Sequence, residues 1–180
     1  MENNIIQLHD KKFKPYISSE KIQQSVASMA EKLNERFKNS QPVFLSILNG
    51  SFMFASDLIK HIKGNCEISF VKLASYQGTQ STGNVKALIG LDININDRTV
   101  IIIEDIVDTG KTLNEFLPVL YSYQPKEIIV ATLLFKPNAL KHDIKVSYSG
   151  FEVPNEFLVG YGLDYEGLGR NLSDIYQLSE

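Results

Sequence analysis

RTVIIIEDIVDTGKTL, residues 98–113, is the stretch on which the reading of this chain turns. Val100–Ile103 is an unbroken β-branched run, the pattern of a strand buried on both faces. Glu104 and Asp105 stand where that strand is expected to end. Ile106 and Val107 follow, and then Asp108-Thr109-Gly110-Lys111-Thr112 leads into Leu113–Leu117, which reads as a helix. The unit is strand, turn, helix, and its turn mixes acids, a glycine, hydroxyls and a lysine.

The two halves of that turn suit opposite ligands. Backbone N–H groups at a helix start lack intrahelical partners and carry the positive end of the dipole, so they attract an anion. Gly110 lets a backbone approach closely, and the hydroxyls of Thr109 and Thr112 can donate to phosphate oxygens. Glu104 and Asp105, when ionised, are acceptors. They call for sugar hydroxyls, or for a metal ion between themselves and a phosphate. A phosphorylated sugar satisfies both halves. A nucleotide-triphosphate loop of the form GxxxxGK[ST] fits Gly110-Lys111-Thr112, but Asp105 holds its first glycine position, against the phosphates such a loop cradles.

E-D-I-V-D-T-G-K-T, residues 104–112, resembles the signature of the type I phosphoribosyltransferases, which bind 5-phosphoribosyl-1-pyrophosphate (PRPP). The resemblance implies that Glu104 and Asp105 contact the ribose hydroxyls and take part in magnesium binding. It also implies that Asp108, Thr109, Gly110, Lys111 and Thr112 wrap the 5′-phosphate.

Working outward, 180 residues with 43% hydrophobic content and net charge −3 read as one soluble domain with a sizeable core. The charge and the lack of a basic stripe argue against nucleic acid as a partner. A single cysteine, Cys66, allows no internal disulfide and suits a reducing cytoplasm. The opening Met-Glu-Asn-Asn lacks the pattern of a signal peptide, and no apolar run reaches the roughly 18 residues that span a membrane.

From Ser18 to Lys38, Ile22, Val26, Met29, Leu33 and Phe37 recur at helical spacing, with Ser18 or Ser19 as N-cap. Val43–Leu48 reads as a second buried strand, running into Asn49-Gly50-Ser51 and a helix over Phe52–Ile62. This repeats the strand, small-residue, helix pattern; on spacing alone it fits an ordinary turn as well as a second oxyanion site. By resemblance, Asn49 and Gly50 form the pyrophosphate loop, which in relatives is commonly Leu-Lys-Gly, and any cis peptide bond lies between Leu48 and Asn49. Asn49 in place of lysine removes a positive charge there.

Glu67–Ala74 reads as a strand, followed by the polar stretch Ser75–Asn84. By composition this is a solvated loop; by resemblance, Ser75 and Tyr76 open a lid that keeps water from a reactive sugar carbon. Val85–Asp92 reads as the returning strand. Pro118 falls inside the helix that follows the organising turn and is expected to kink it. Glu127–Phe135 is another buried strand, stopped by Lys136-Pro137, and the end of such a strand is where open α/β sheets bind ligands.

The stretch FEVPNEFLVGYGLDY, residues 151–165, resembles the purine-binding end of hypoxanthine phosphoribosyltransferases. That likeness assigns Lys136 to the purine 6-oxo group, Phe157 to stacking and the Leu158 main chain to the Watson–Crick edge. Asp164 would hold magnesium and Arg170 the pyrophosphate oxygens, with Asp108 as general base. The fold implied is α/β, a central and mainly parallel sheet flanked by helices. It would be one phosphoribosyltransferase domain over 1–180, with its core near 40–140 and a small hood from about 1–15 and 145–180. The activity implied is magnesium-dependent transfer of the phosphoribosyl group from PRPP to hypoxanthine, and to guanine, by a cytoplasmic homodimer or homotetramer. The rival of a different class is a non-catalytic PRPP or nucleotide sensor on the same fold.

Overall fold

The computed structural model describes residues 5–74 and 86–179. Its elements are β1 (Ile6–Leu8), β2 (Lys11–Ile17), α1 (Ser19–Arg36), β3 (Val43–Leu48), α2 (Phe52–Lys60), β4 (Glu67–Ala74) and β5 (Lys86–Ile89). They continue with β6 (Thr99–Val107), α3 (Lys111–Tyr121), β7 (Glu127–Phe135), a 3₁₀ turn (Pro137–Ala139), β8 (Tyr148–Glu152), β9 (Leu158–Val159) and β10 (Ile175–Leu178).

The larger sheet runs β5-β4-β3-β6-β7-β8. Its strands from β4 to β8 are parallel, and β5 joins at the edge antiparallel. Alternation along β6 divides the core into two layers. Ile101 and Ile103 pack on α1 and α2 with Met29, Leu33, Phe54 and Leu58. Val100 and Ile102 pack on the other face with Leu113, Phe116 and Leu120 of α3. Each helix presents its apolar stripe at the spacing its sequence carries; α3 runs through Pro118 as far as Tyr121.

From β3 the chain crosses outward to β4, whereas from β6 it crosses the opposite way to β7. The ends of β3 and β6 therefore flank a topological switch point, where the departing loops part and leave a crevice. The second sheet, β1-β2-β10-β9, is antiparallel and brings together residues 6–17 and 158–178. Tyr148–Glu152 belongs to the larger sheet, paired with β7.

Two local expectations change. β6 does not stop before Glu104 but continues to Val107. Its pairing with β3 ends at Ser46 and Ile103, while β7 stays in register through Val107 and Phe135, so one edge of β6 remains strand while the other opens. Ser18 is the N-cap residue of α1 but makes no side-chain cap bond to it. Instead the Ser19 N–H donates to Asp174 Oδ1 at 2.7 Å, a carboxylate from the far end of the chain that suits the positive helix terminus.

Candidate active site

The site begins with the turn from β6 to α3. Glu104 to Leu113 line a cleft of about 270 Å³ at the carboxyl end of the sheet. Gly110 is the N-cap of α3 at φ 77°, and the Thr109 hydroxyl accepts from the Lys111 N–H at 3.3 Å. The main-chain N–H groups of the first turn of α3 thus face an open cleft. The Lys111 ammonium lies 3.9 Å from the Glu115 carboxylate, one helical turn on.

Glu104 and Asp105 leave opposite faces of β6, as successive strand residues must. Glu104 is buried, and that burial, with Asp105 beside it, pushes its carboxyl well above the ordinary range. Asp105 is pushed up to about 6 by burial, with Asp164 adding to the rise. The N–H of Ile106, which donates at 3.0 Å, and the charge of Arg170 act against the rise without cancelling it. Both acids are short of positive charge.

Three segments distant in sequence meet at Asp105. A Cβ on Gly50 would run into the Asp105 carboxylate, and a Cβ on Gly162 would run into the Gly50 carbonyl oxygen. Gly162 also sits at φ 99°, a conformation other residues rarely adopt. Chain packing here is closed to any side chain. The peptide bond between Leu48 and Asn49 is cis. Next to it, the buried Ser46 and Ser51 hydroxyls lie 2.6 Å apart at the entry to α2.

Asp164 and Arg170 complete this side. Arg170 donates to the Gly162 carbonyl at 2.7 Å and pairs with Asp164 Oδ1 at 2.5 Å, while Asp164 Oδ2 accepts from the Gly167 N–H at 2.7 Å. Among the described residues no three metal-ligating side chains converge on one point. The protein offers single carboxylates rather than a closed cage, the arrangement in which magnesium is held when substrate oxygens and waters complete its shell. Glu104 and Asp105, whose carboxyls burial raises, and Asp164 are oxygen donors of the kind that fits a magnesium ion.

On the other side of the turn, Lys136 follows the last residue of β7 and its side chain is 7% exposed. Its ammonium donates to Asp108 Oδ2 at 2.9 Å. Beyond it, β9 is the edge of the small sheet. The Leu178 N–H donates to the Phe157 carbonyl at 2.9 Å, which makes Leu158 and Gln177 a non-hydrogen-bonded pair. The N–H and C=O of Leu158 therefore point away from β10, to the open side. Phe157 is 46% exposed and rests edge-on to Tyr165, with ring centroids 5.8 Å apart, and against the buried Phe13 at 6.3 Å. The result is a supported aromatic face beside free main-chain groups.

An anion-ready helix end, an acid pair at a switch point and a buried donor beside an acceptor now stand in one crevice. The phosphoribosyl transferase domain model matches residues 16–166. The chain belongs to the phosphoribosyltransferase family. A hypoxanthine-guanine phosphoribosyltransferase from Staphylococcus epidermidis is 45% identical over 157 residues, 87% of this chain and 88% of that protein. A solved hypoxanthine phosphoribosyltransferase from Staphylococcus aureus is 41% identical with a TM-score of 0.87, covering 92% of this chain and 90% of that one. A Bacillus anthracis hypoxanthine-guanine phosphoribosyltransferase structure is 39% identical with a TM-score of 0.86, covering 92% and 96%. The sheet order and flanking helices are those of the type I phosphoribosyltransferase fold.

Of the residues singled out in the sequence of this phosphoribosyltransferase, Glu104 to Thr112 line one cleft, with Asn49-Gly50 and Arg170 meeting it at Asp105. Ser75 and Tyr76, the expected lid, lie outside the described residues. Sequence reasoning missed Gly162 as a contact of Gly50, and it missed a buried hydrogen bond between Tyr161 and Asp57. The signal was present: Gly160 and Gly162 flank Tyr161, and glycines on both sides of a large residue mark a backbone under tight constraint.

Proposed function

We propose that this phosphoribosyltransferase transfers the 5-phosphoribosyl group of PRPP to hypoxanthine, and to guanine, releasing pyrophosphate. The observation that carries this reading is the Lys136–Asp108 pair. A buried ammonium and a carboxylate oxygen 2.9 Å apart set a hydrogen-bond donor beside an acceptor. A 6-oxopurine matches them, offering its 6-oxo oxygen to Lys136 and a ring N–H to Asp108. Adenine presents an amino donor where Lys136 also donates, and two donors repel. The names of the relatives support the same class of base.

In this reading the 5′-phosphate occupies the start of α3, bound by N–H groups that helical bonding leaves free. Glu104 and Asp105 accept from the ribose hydroxyls, and Asn49, Gly50, Asp164 and Arg170 serve the pyrophosphate. Magnesium, when bound with PRPP, neutralises charge on the departing pyrophosphate. Asp108 takes the ring proton as the base attacks, and Lys136 draws electron density toward the 6-oxo oxygen. Phe157 and the outward N–H and C=O of Leu158 hold the base in line with the sugar carbon, converting an encounter into a positioned reaction. Ser75 and Tyr76 would open the lid that excludes water. Exposed apolar side chains on α2 and β4, namely Phe52, Ile68 and Phe70, support association of copies. No described helix is long and apolar enough to cross a membrane, and a cytoplasmic setting accords with that.

The test is nucleotide formation from PRPP and magnesium with hypoxanthine, guanine, xanthine and adenine in parallel. Inosine monophosphate with little adenosine monophosphate is the expected result. Tight PRPP binding with no product from any base would favour the sensor instead.

A further inference from the structure

Behind the Gly50–Gly162 contact lies a buried side chain to which the proposed chemistry gives no part. Tyr161 is 2% exposed and holds φ 49°, a left-handed conformation that bulky residues rarely adopt. Such a conformation persists where the surroundings over-determine it. Here its hydroxyl donates to Asp57 Oδ2 at 2.6 Å, and Gln23 Nε2 donates to the same oxygen at 2.6 Å. Lys60 pairs with Asp57 Oδ1 at 2.5 Å. The Tyr161 N–H donates to the Leu172 carbonyl at 2.8 Å. One carboxylate thus gathers donors from α1, from α2 and from the C-terminal segment. Burial opposes its charge, but Lys60, Tyr161 and Gln23 together hold it below the ordinary range. Burial and Asp57 in turn push the Tyr161 phenol well above its own, so it stays a donor at physiological pH.

Position along the chain gives this bond a consequence. Asp57 lies on α2, the helix that begins directly after Asn49-Gly50-Ser51. Tyr161 precedes Gly162, whose N–H donates to the Arg170 carbonyl at 3.0 Å and whose own carbonyl accepts from the Arg170 side chain. A shift of the 160–164 turn relative to α2 would move Gly162 off Gly50 and carry Asp164 and Arg170 away from Asp105. We propose that the Tyr161–Asp57 hydrogen bond is a positioning device that sets the register between the Asn49-Gly50 loop and the Asp164–Arg170 pair. This rests on the reading of that side of the cleft as the pyrophosphate subsite. Tyr161 touches no substrate; it acts through Gly162.

Tyr161→Phe keeps the ring and removes the bond. The expected result is a KM for PRPP and a dissociation constant for magnesium pyrophosphate raised by about tenfold or more, the scale on which small misplacements act. The KM for hypoxanthine should stay within about twofold, because Phe157 and Leu158 are held separately by β10 and Phe13, and Lys136 by the end of β7. Asp57→Asn retains an oxygen that can accept from the phenol, and should restore most of what Asp57→Ala loses. An unchanged KM for PRPP, or equal losses for both substrates, would overturn the proposal. Hydrogen exchange on the ligand-free variants supplies a reading independent of activity. Faster exchange at residues 49–51 and 160–170 supports the device, and exchange at the wild-type rate overturns it. A wild-type protein that forms no nucleotide would refute the proposed function, while the exchange result would still decide whether the bond sets the register.

Discussion

The turn after β6 and the segment 157–170 face each other across the same crevice, yet they are built on different principles. The first is local. Asp105 to Thr112 are consecutive, a strand buried on both faces aims them, and the start of α3 finishes them. The second is imported. Its backbone enters the left-handed region at Gly160, Tyr161, Gly162, Glu166, Gly167 and Gly169, and its shape depends on Gly50, Asp57, Asp174 and the β10 strand. A locally built half can lose a chemical group and keep its fold. In the imported half, chemistry and packing cannot be separated so cleanly.

The largest effect expected from that contrast is on turnover. Asp108→Asn should lower kcat by about a hundredfold or more, the usual worth of a positioned proton acceptor, with a smaller loss of melting temperature, because the amide oxygen can still accept from the buried Lys136 but no longer offsets its charge. Steady-state kinetics beside thermal melts would check this; an equal loss of PRPP affinity and turnover would contradict the proton-acceptor role. Gly162→Ala strikes the other half. Its Cβ would collide with the Gly50 carbonyl oxygen from a backbone at φ 99°. A loss of about 2–3 kcal/mol of stability is expected, with PRPP binding weakened in the same variant. Denaturant unfolding and PRPP titration measure the two. A variant that keeps its stability and loses only binding would place 157–170 on the same footing as the β6 turn.

The smallest effect concerns Asp105, where the halves touch. Its folded pKa of about 6 stands above the ordinary 3.8, so the folded protein binds this proton more tightly than the unfolded chain does. The wild type therefore holds this contribution below about pH 4 and loses it as the pH rises through about 6. Asp105→Asn has no such loss, and at neutral pH it should stabilise the ligand-free protein by ~1 kcal/mol. Melting temperatures from pH 4 to 8 should draw apart in that window; curves that stay parallel would remove the charge from the account.

Much of this was legible in the chain. The strands β3 and β7 fall where the apolar runs predict, because a strand covered on both faces needs side chains that no loop would tolerate, and β4 falls where Glu67–Ala74 reads as a strand. The anion-ready turn was legible for the same local reason. The resemblance singles out Lys136 and Phe157, but not the partners that the structure gives them. That Lys136 reaches Asp108, 28 residues away, depends on the parallel pairing of β6 with β7. The end of β6 is not legible in the sequence, because a carboxylate looks like a strand terminator and only the continued pairing with β7 overrides that preference.

By itself, then, the sequence determined what periodicity and local chemistry can determine: the α/β class, the buried strands, the stripe on each helix and a phosphate-ready turn. Tertiary structure decided the rest. It decided that Asp174 rather than Ser18 caps α1, that Gly162 seats on Gly50, and that a tyrosine in a strained turn is held by a carboxylate 104 residues away. Those contacts join groups whose separation along the chain says nothing about their distance in space. They exist because the sheet order turns at β3 and β6 and because residues 6–17 and 158–178, far apart in the chain, come together in a second sheet.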